Sequence, residues 1–119
     1  MPRQLKPAPP EDVRRALAVG EPDAERLLVK HFLALLQAKV PGASVEVRVP
    51  PYAAVQVIEG VRHTRGTPPA VIETDAKTWI ALSTGALQWV EAIDQGLVHA
   101  SGERTDLSGL LPLASPEDA

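Results

Sequence analysis

The chain has 119 residues, a formal charge of −3 and 45% hydrophobic side chains, with no cysteine. A domain of this length buries roughly 65% of its unfolded surface, so folding requires neither a metal nor a disulfide, and thiol chemistry is excluded. The acidic balance argues against a nucleic-acid surface, which needs a basic stripe with stacking aromatics; the two Trp, one Tyr and one Phe lie beside no basic cluster. In chain order, residues 1–9 are proline-rich and poor in apolar side chains, which predicts a loose arm. Pro10 opens a short helix, because its missing N–H would have no partner in a first turn. Val13, Ala16 and Leu17 give that helix an apolar side, and Gly20 ends it.

Pro22 opens a long amphipathic helix running to about Lys39. Leu28, Phe32, Leu35 and Leu36 share one face, flanked by Val29, Leu33 and Val40. Glu25, Arg26, Lys30 and Gln37 occupy the other side. This pattern predicts a helix lying on a sheet, and the same stripe is suited to walling an apolar cavity. Pro41-Gly42 stops the helix. Ser44 to Val49 alternates valines with Glu46 and Arg48, the mark of a half-buried strand. Pro50-Pro51 cannot donate ladder bonds and must turn the chain. Ala53 to Ile58 is then a second strand, antiparallel to the first, and Ala70 to Thr74 a third.

The last third, Thr74 to Leu111, is punctuated by glycines. Asp75 or Thr74 caps a helix with Ala76, Trp79, Ile80 and Leu82 at its apolar positions, and Gly85 supplies a left-handed stop. Ala86 to Asp94 reads as a second helix, with Leu87, Val90 and Ile93 on one face. Gly96 ends it, Leu97 to Ser101 is a strand, and Ser101-Gly102 turns the chain into a short helix. The domain is expected over residues 10–114, with 115–119 a frayed tail. Strands followed by helices and a late strand define an α+β class: a mostly antiparallel sheet of about five strands covered on one face by helices.

The order helix, Thr-Gly, helix, Gly, strand, small residue-Gly resembles the end of the sterol carrier protein type two superfamily. The matching residues are Trp79, Thr84, Gly85, Ala92, Gly96, Ser101 and Gly102. Upstream, VEVRVPPYAAVQ (Val45–Gln56) and RHTRGTPPAVIETD (Arg62–Asp75) resemble the small stand-alone bacterial orthologues of that superfamily, over residues 22–113 in all. The resemblance implies an apolar tunnel between sheet and helices. Its lining would come from Leu28, Phe32, Leu35, Leu36, Trp79, Ile80, Leu87 and Val90. Two departures bear on the tunnel. Val90-Glu91-Ala92-Ile93 stands where lipid-carrying relatives have bulkier aromatics, and little sequence follows Pro112 to form the closing C-terminal helix. A filled core, and an accessory protein-interaction domain without ligand, is therefore the alternative expectation.

The densest polar stretch is Arg62-His63-Thr64-Arg65-Gly66-Thr67. Its donors suit the anionic head of an amphipathic ligand, with Arg62, His63, Arg65 and Thr67 as the polar end of a site. The competing reading is a solvated loop whose arginines pair with acids such as Glu73. Arg48 and Gln56 face away from the valines of their strands, which places them at an internal polar site or simply in water. No catalytic residue is expected: there is no G-x-S-x-G, no HExxH and no phosphate-binding glycine loop. His31, His63 and His99 are too scattered for a metal motif, and no cofactor is called for. An enzyme using His63 and Arg65 would require them to converge on a concave site. The partners expected are thus an apolar or amphipathic small molecule, or a protein, but not nucleic acid. MPRQLKPAPP lacks the apolar core of a secretory signal and no apolar run approaches the ~20 residues that span a bilayer, so a cytoplasmic location is the expectation.

Overall fold

In the computed structural model, residues 5–19, 22–60, 70–102 and 105–113 are described. The chain begins with two helices, α1 (Pro10–Val19) and α2 (Pro22–Lys39). A hairpin follows, β1 (Val45–Val49) and β2 (Ala53–Val57), then β3 (Ala70–Thr74). Helices α3 (Ala76–Thr84) and α4 (Trp89–Asp94), strand β4 (Val98–Ser101) and a 3-10 turn at Ser108–Leu110 complete it.

Asp23 and Glu25 in the first turn of α2 and Lys39 in its last complement the helix dipole. The chain then leaves α2 through a tight lock. The Ile58 N–H donates to the Val40 carbonyl at 2.7 Å, and the Ser44 hydroxyl and N–H donate to the Ile58 carbonyl at 2.6 and 3.0 Å. Gly42 runs through this lock at φ 152°, and a Cβ there would come within 2.2 Å of the Ile58 carbonyl carbon. Only glycine fits such an approach. Ile58 itself sits at φ 64°, an uncommon conformation for a β-branched residue, held by the same hydrogen bonds.

The sheet order is β2-β1-β3-β4. The hairpin pairs Val47 with Val55, and β3 pairs with β4 through Thr74 and Val98, both antiparallel. The central pair, β1 with β3, is parallel, with Val47 beside Ile72. The α+β class expected from the sequence is present, but the sheet is mixed and has four strands among the described residues, not about five mostly antiparallel ones. The reason is that β3 does not extend the meander beside β2. It returns on the far side of β1, running in the same direction.

One face of this sheet is apolar. Val45, Val47, Val49, Val55, Val57, Ala70, Ile72 and Val98 are all buried. The other carries Glu46, Arg48, Gln56, Glu73 and His99. Arg48 is exposed there and paired to Glu46, so it belongs to the outer face and not to an internal polar site. Phe32, Leu33 and Leu36 of α2 and Trp79 and Leu82 of α3 cover the apolar face, all at 1% exposure or less. The Trp79 indole N–H donates to the Val29 carbonyl at 3.4 Å, which ties α3 to α2 through a buried polar group.

The glycine-punctuated tail forms as its sequence implies. Asp75 caps α3 by accepting from the Thr78 N–H at 2.7 Å, and Gly85 and Gly96 follow their helices at φ 86° and 71°. Helix α4 departs from expectation. It starts at Trp89 and not at Ala86, because Gln88 is its extended cap, with the Gln88 N–H donating to Glu91 at 3.3 Å. The buried face is Trp89 and Ala92, whereas Val90 is 62% and Ile93 39% exposed. The larger apolar area of Trp89 decides which side of the helix turns inward.

Candidate ligand-binding cleft

Residues 5–9, expected as a loose arm, lie along α2. The Leu5 N–H donates to Gln37 Oε1 at 3.1 Å and the Ala8 N–H to His31 Nδ1 at 2.9 Å. Leu5 and Ala8 also pack against the core. Acceptance at Nδ1 requires a neutral ring to carry its proton on Nε2. The arm then enters α1 at Pro10, and α1 crosses α2 with Val13 and Ala16 buried between them.

The outer side of that contact stays open. A cleft of about 210 Å³ lies between arm, α1 and α2, lined by Ala8, Pro10, Val13, Arg14, Leu17, His31, Phe32 and Leu35. Its walls are aliphatic on α1 and aromatic on α2, where the His31 and Phe32 rings meet edge to face at 5.1 Å. Arg14 is exposed at its rim. Among the described residues no carboxylate lies within ion-pair distance of Arg14, whereas Asp12 is taken by Arg15 at 3.6 Å and Glu46 by Arg48.

The side chains expected to line a tunnel are distributed over several surroundings. Leu28, Phe32, Leu36 and Trp79 are buried in the core, and Leu35, Ile80 and Leu87 are half-buried. Phe32 and Leu35 belong to the α1–α2 cleft. Leu87 and Val90 border a separate hollow of about 100 Å³ against Leu111 and Pro112. Arg62, His63, Arg65 and Thr67 lie outside the described residues. The sequence alone assigns none of Ala8, Val13, Arg14, Leu17 and His31 to a binding site. The available signal was the apolar side of the first helix, Val13, Ala16 and Leu17, which must face something.

Two more open hollows flank Pro50. One, of about 340 Å³, reaches Glu73, Asp75 and His99; the other, of about 500 Å³, reaches Glu25, Tyr52 and Asp75. The Tyr52 hydroxyl donates to Glu25 at 2.8 Å, and this bond holds the phenol above its ordinary pKa. Among the described residues no group of His, Asp and Glu is arranged to hold a metal ion, and no helix is long and apolar enough to cross a membrane.

A one-sided mixed sheet, an amphipathic helix laid over its valines and a helix–glycine–helix–strand tail make this a sterol-carrier-like α+β domain. A family model described as bacterial SCP ortholog matches residues 22–113, and the chain belongs to that family. The matched segment begins at α2, so the arm and α1 lie ahead of it. No curated protein matches the sequence.

Proposed function

We propose that the protein is a non-catalytic binding protein for a small apolar or amphipathic molecule, taken up in the cleft between α1 and α2. The family supports a lipid-like ligand in general. The observation that carries the location is the lining of the cleft: Val13, Leu17, Phe32 and Leu35 face one open concavity. Between sheet and helices, where the resemblance places a tunnel, Leu36, Trp79 and Leu82 are at most 1% exposed. At about 210 Å³ the cleft is smaller than the roughly 300–1,000 Å³ of drug-sized sites, which favours a short chain or one end of a longer one. Titration of 15N-labelled protein with 1-octanol tests this reading. Saturable shifts of amides 8–17 and 31–35 are expected; saturation confined to the amides of α3 and α4, or none anywhere, contradicts it.

A second reading rests on a different observation. Val90 and Ile93 present an exposed apolar edge on α4, which suits an accessory domain docking a protein partner. In that case Val90→Ser weakens the partner complex while leaving 1-octanol binding and folding unchanged.

A further inference from the structure

Val90 and Ile93 are the exposed large hydrophobic side chains among the described residues. We propose that this edge of α4 docks a basic amphipathic helix of a partner protein, with Val90 and Ile93 against its aliphatic side and Glu91 and Asp94 against its Lys or Arg side chains. The inference rests on the second reading above, α4 as a docking edge, and adds the chemistry of the partner.

Three features of the molecule lead there. First, α4 has already used its inner face. Trp89 and Ala92 are buried, so Val90 and Ile93 cannot turn inward with them. They stand three residues apart, on one side of the helix, as a short aliphatic ridge. A partner helix with apolar residues at the same spacing presents a matching row. Second, the ridge leads into a hollow. Val90 lines a concavity of about 100 Å³ with Leu87, Leu111 and Pro112. A dry cavity of ~150 Å³ holds benzene, so this smaller one suits the end of a single aliphatic side chain and not an aromatic ring. Third, the charge beside the ridge has one sign. Glu91 and Asp94 are exposed, each following a ridge residue by one position, and α4 contains no basic residue. Among the described residues no Lys or Arg lines the hollow or lies within ion-pair distance of either carboxylate. Lys39, which reaches the same end of the chain, donates to the Leu110 carbonyl at 3.1 Å.

Charge decides between occupants. A second copy of this chain would set Glu91 and Asp94 against one another across a two-fold axis. An anionic membrane surface would repel the same carboxylates. A partner carrying Lys or Arg beside an aliphatic row is complementary to both parts of the edge. The area is small: two aliphatic side chains and one hollow fall short of the ~800 Å² that each partner buries in a standard interface, so the contact is a weak one. Its charge pairs are exposed and screened by salt, and they set preference among partners more than they add affinity.

The test uses amphipathic peptides of about 14 residues, a length at which an isolated helix can form. All carry Leu on one face, and the other face is Lys in one peptide and Gln in a second. Each is titrated into the 15N-labelled full chain. The Lys peptide is expected to give saturable shifts of amides 88–97 and 108–111, binding about threefold to tenfold more tightly than the Gln peptide. The double variant Glu91→Gln, Asp94→Asn is expected to abolish that preference with affinity for the Gln peptide unchanged. A Gln at position 91 still accepts from the Gln88 N–H, so α4 keeps its cap. Val90→Ser is expected to weaken both peptides. Equal affinities of the two peptides at these amides, or a preference that survives the double variant, overturns the basic partner while the docking edge stands. Absence of saturable shifts at α4 with either peptide overturns the edge and its partner together. Val90-dependent dimerisation, or Val90-dependent binding to phosphatidylglycerol vesicles, assigns the edge to a second copy or a membrane and overturns the proposal.

Discussion

Leu35 and Leu36 are neighbours on α2, yet one side of that helix is finished and the other is not. Leu36 is 0% exposed, set with Phe32 and Leu33 over the valines of the sheet. Leu35 is half-buried at the cleft, where α1 and the arm cover α2 only in part. The sheet side is built from sequence-distant elements locked by short backbone bonds; on the other side Val13 and Ala16 pack α1 on α2, and Gln37 and His31 accept from the backbone of the arm. The dense side explains stability, and the incompletely covered side leaves the apolar surface on which the proposed ligand site rests.

The largest effect is expected on the dense side. Gly42→Ala drives a Cβ into the Ile58 backbone, which is not a flexible side chain, at a φ of 152°. The expected cost is about 3 kcal/mol or more, read as a lowered urea midpoint. A loss of stability under ~1 kcal/mol contradicts the lock. Next comes the leucine pair itself. Leu36→Ala is expected to cost ~2–5 kcal/mol by opening a cavity, and Leu35→Ala under ~1.5 kcal/mol. Equal losses erase the difference between the two sides of α2.

Much of this contrast was legible in the sequence, and the illegible part has physical causes. The bounds of α2, the valine alternation of β1 and the stops at Gly85 and Gly96 are written locally, in period and in turn chemistry. The parallel pairing of β1 with β3 is not, because register between strands separated by a long connection depends on the crossover and not on either strand's pattern. Leu87, Val90 and Ile93 have helical spacing, but so do Trp89 and Ala92, and spacing alone does not rank faces. Proline and scarce apolar residues describe many disordered segments, so the composition of the arm predicts looseness. Its attachment comes from backbone N–H groups at Leu5 and Ala8, which every sequence carries and no pattern reveals.

Smaller effects sharpen the account further. Gly85→Ala faces only Pro112 at 3.5 Å, an ordinary contact, so its cost of about 1 kcal/mol comes from the positive φ alone, well below that at Gly42. Chemical denaturation of both variants checks this order. The smallest effect concerns Tyr52. Its phenol pKa is raised by the bond to Glu25, so the neutral form is favoured in the folded state. The stability this adds is present below the unfolded tyrosine pKa and is lost as pH rises through the folded value. Denaturation curves across the alkaline range are expected to be slightly steeper in pH for wild type than for Tyr52→Phe; identical profiles contradict the coupling.

The central proposal, that a small apolar molecule is taken up between α1 and α2 and not between sheet and helices, is tested most directly by intermolecular NOEs from the methyl and methylene protons of 1-octanol. The account predicts NOEs to the side chains of Leu17, Phe32 and Leu35. NOEs to Leu36, Trp79 and Leu82 without any to Leu17 would contradict it.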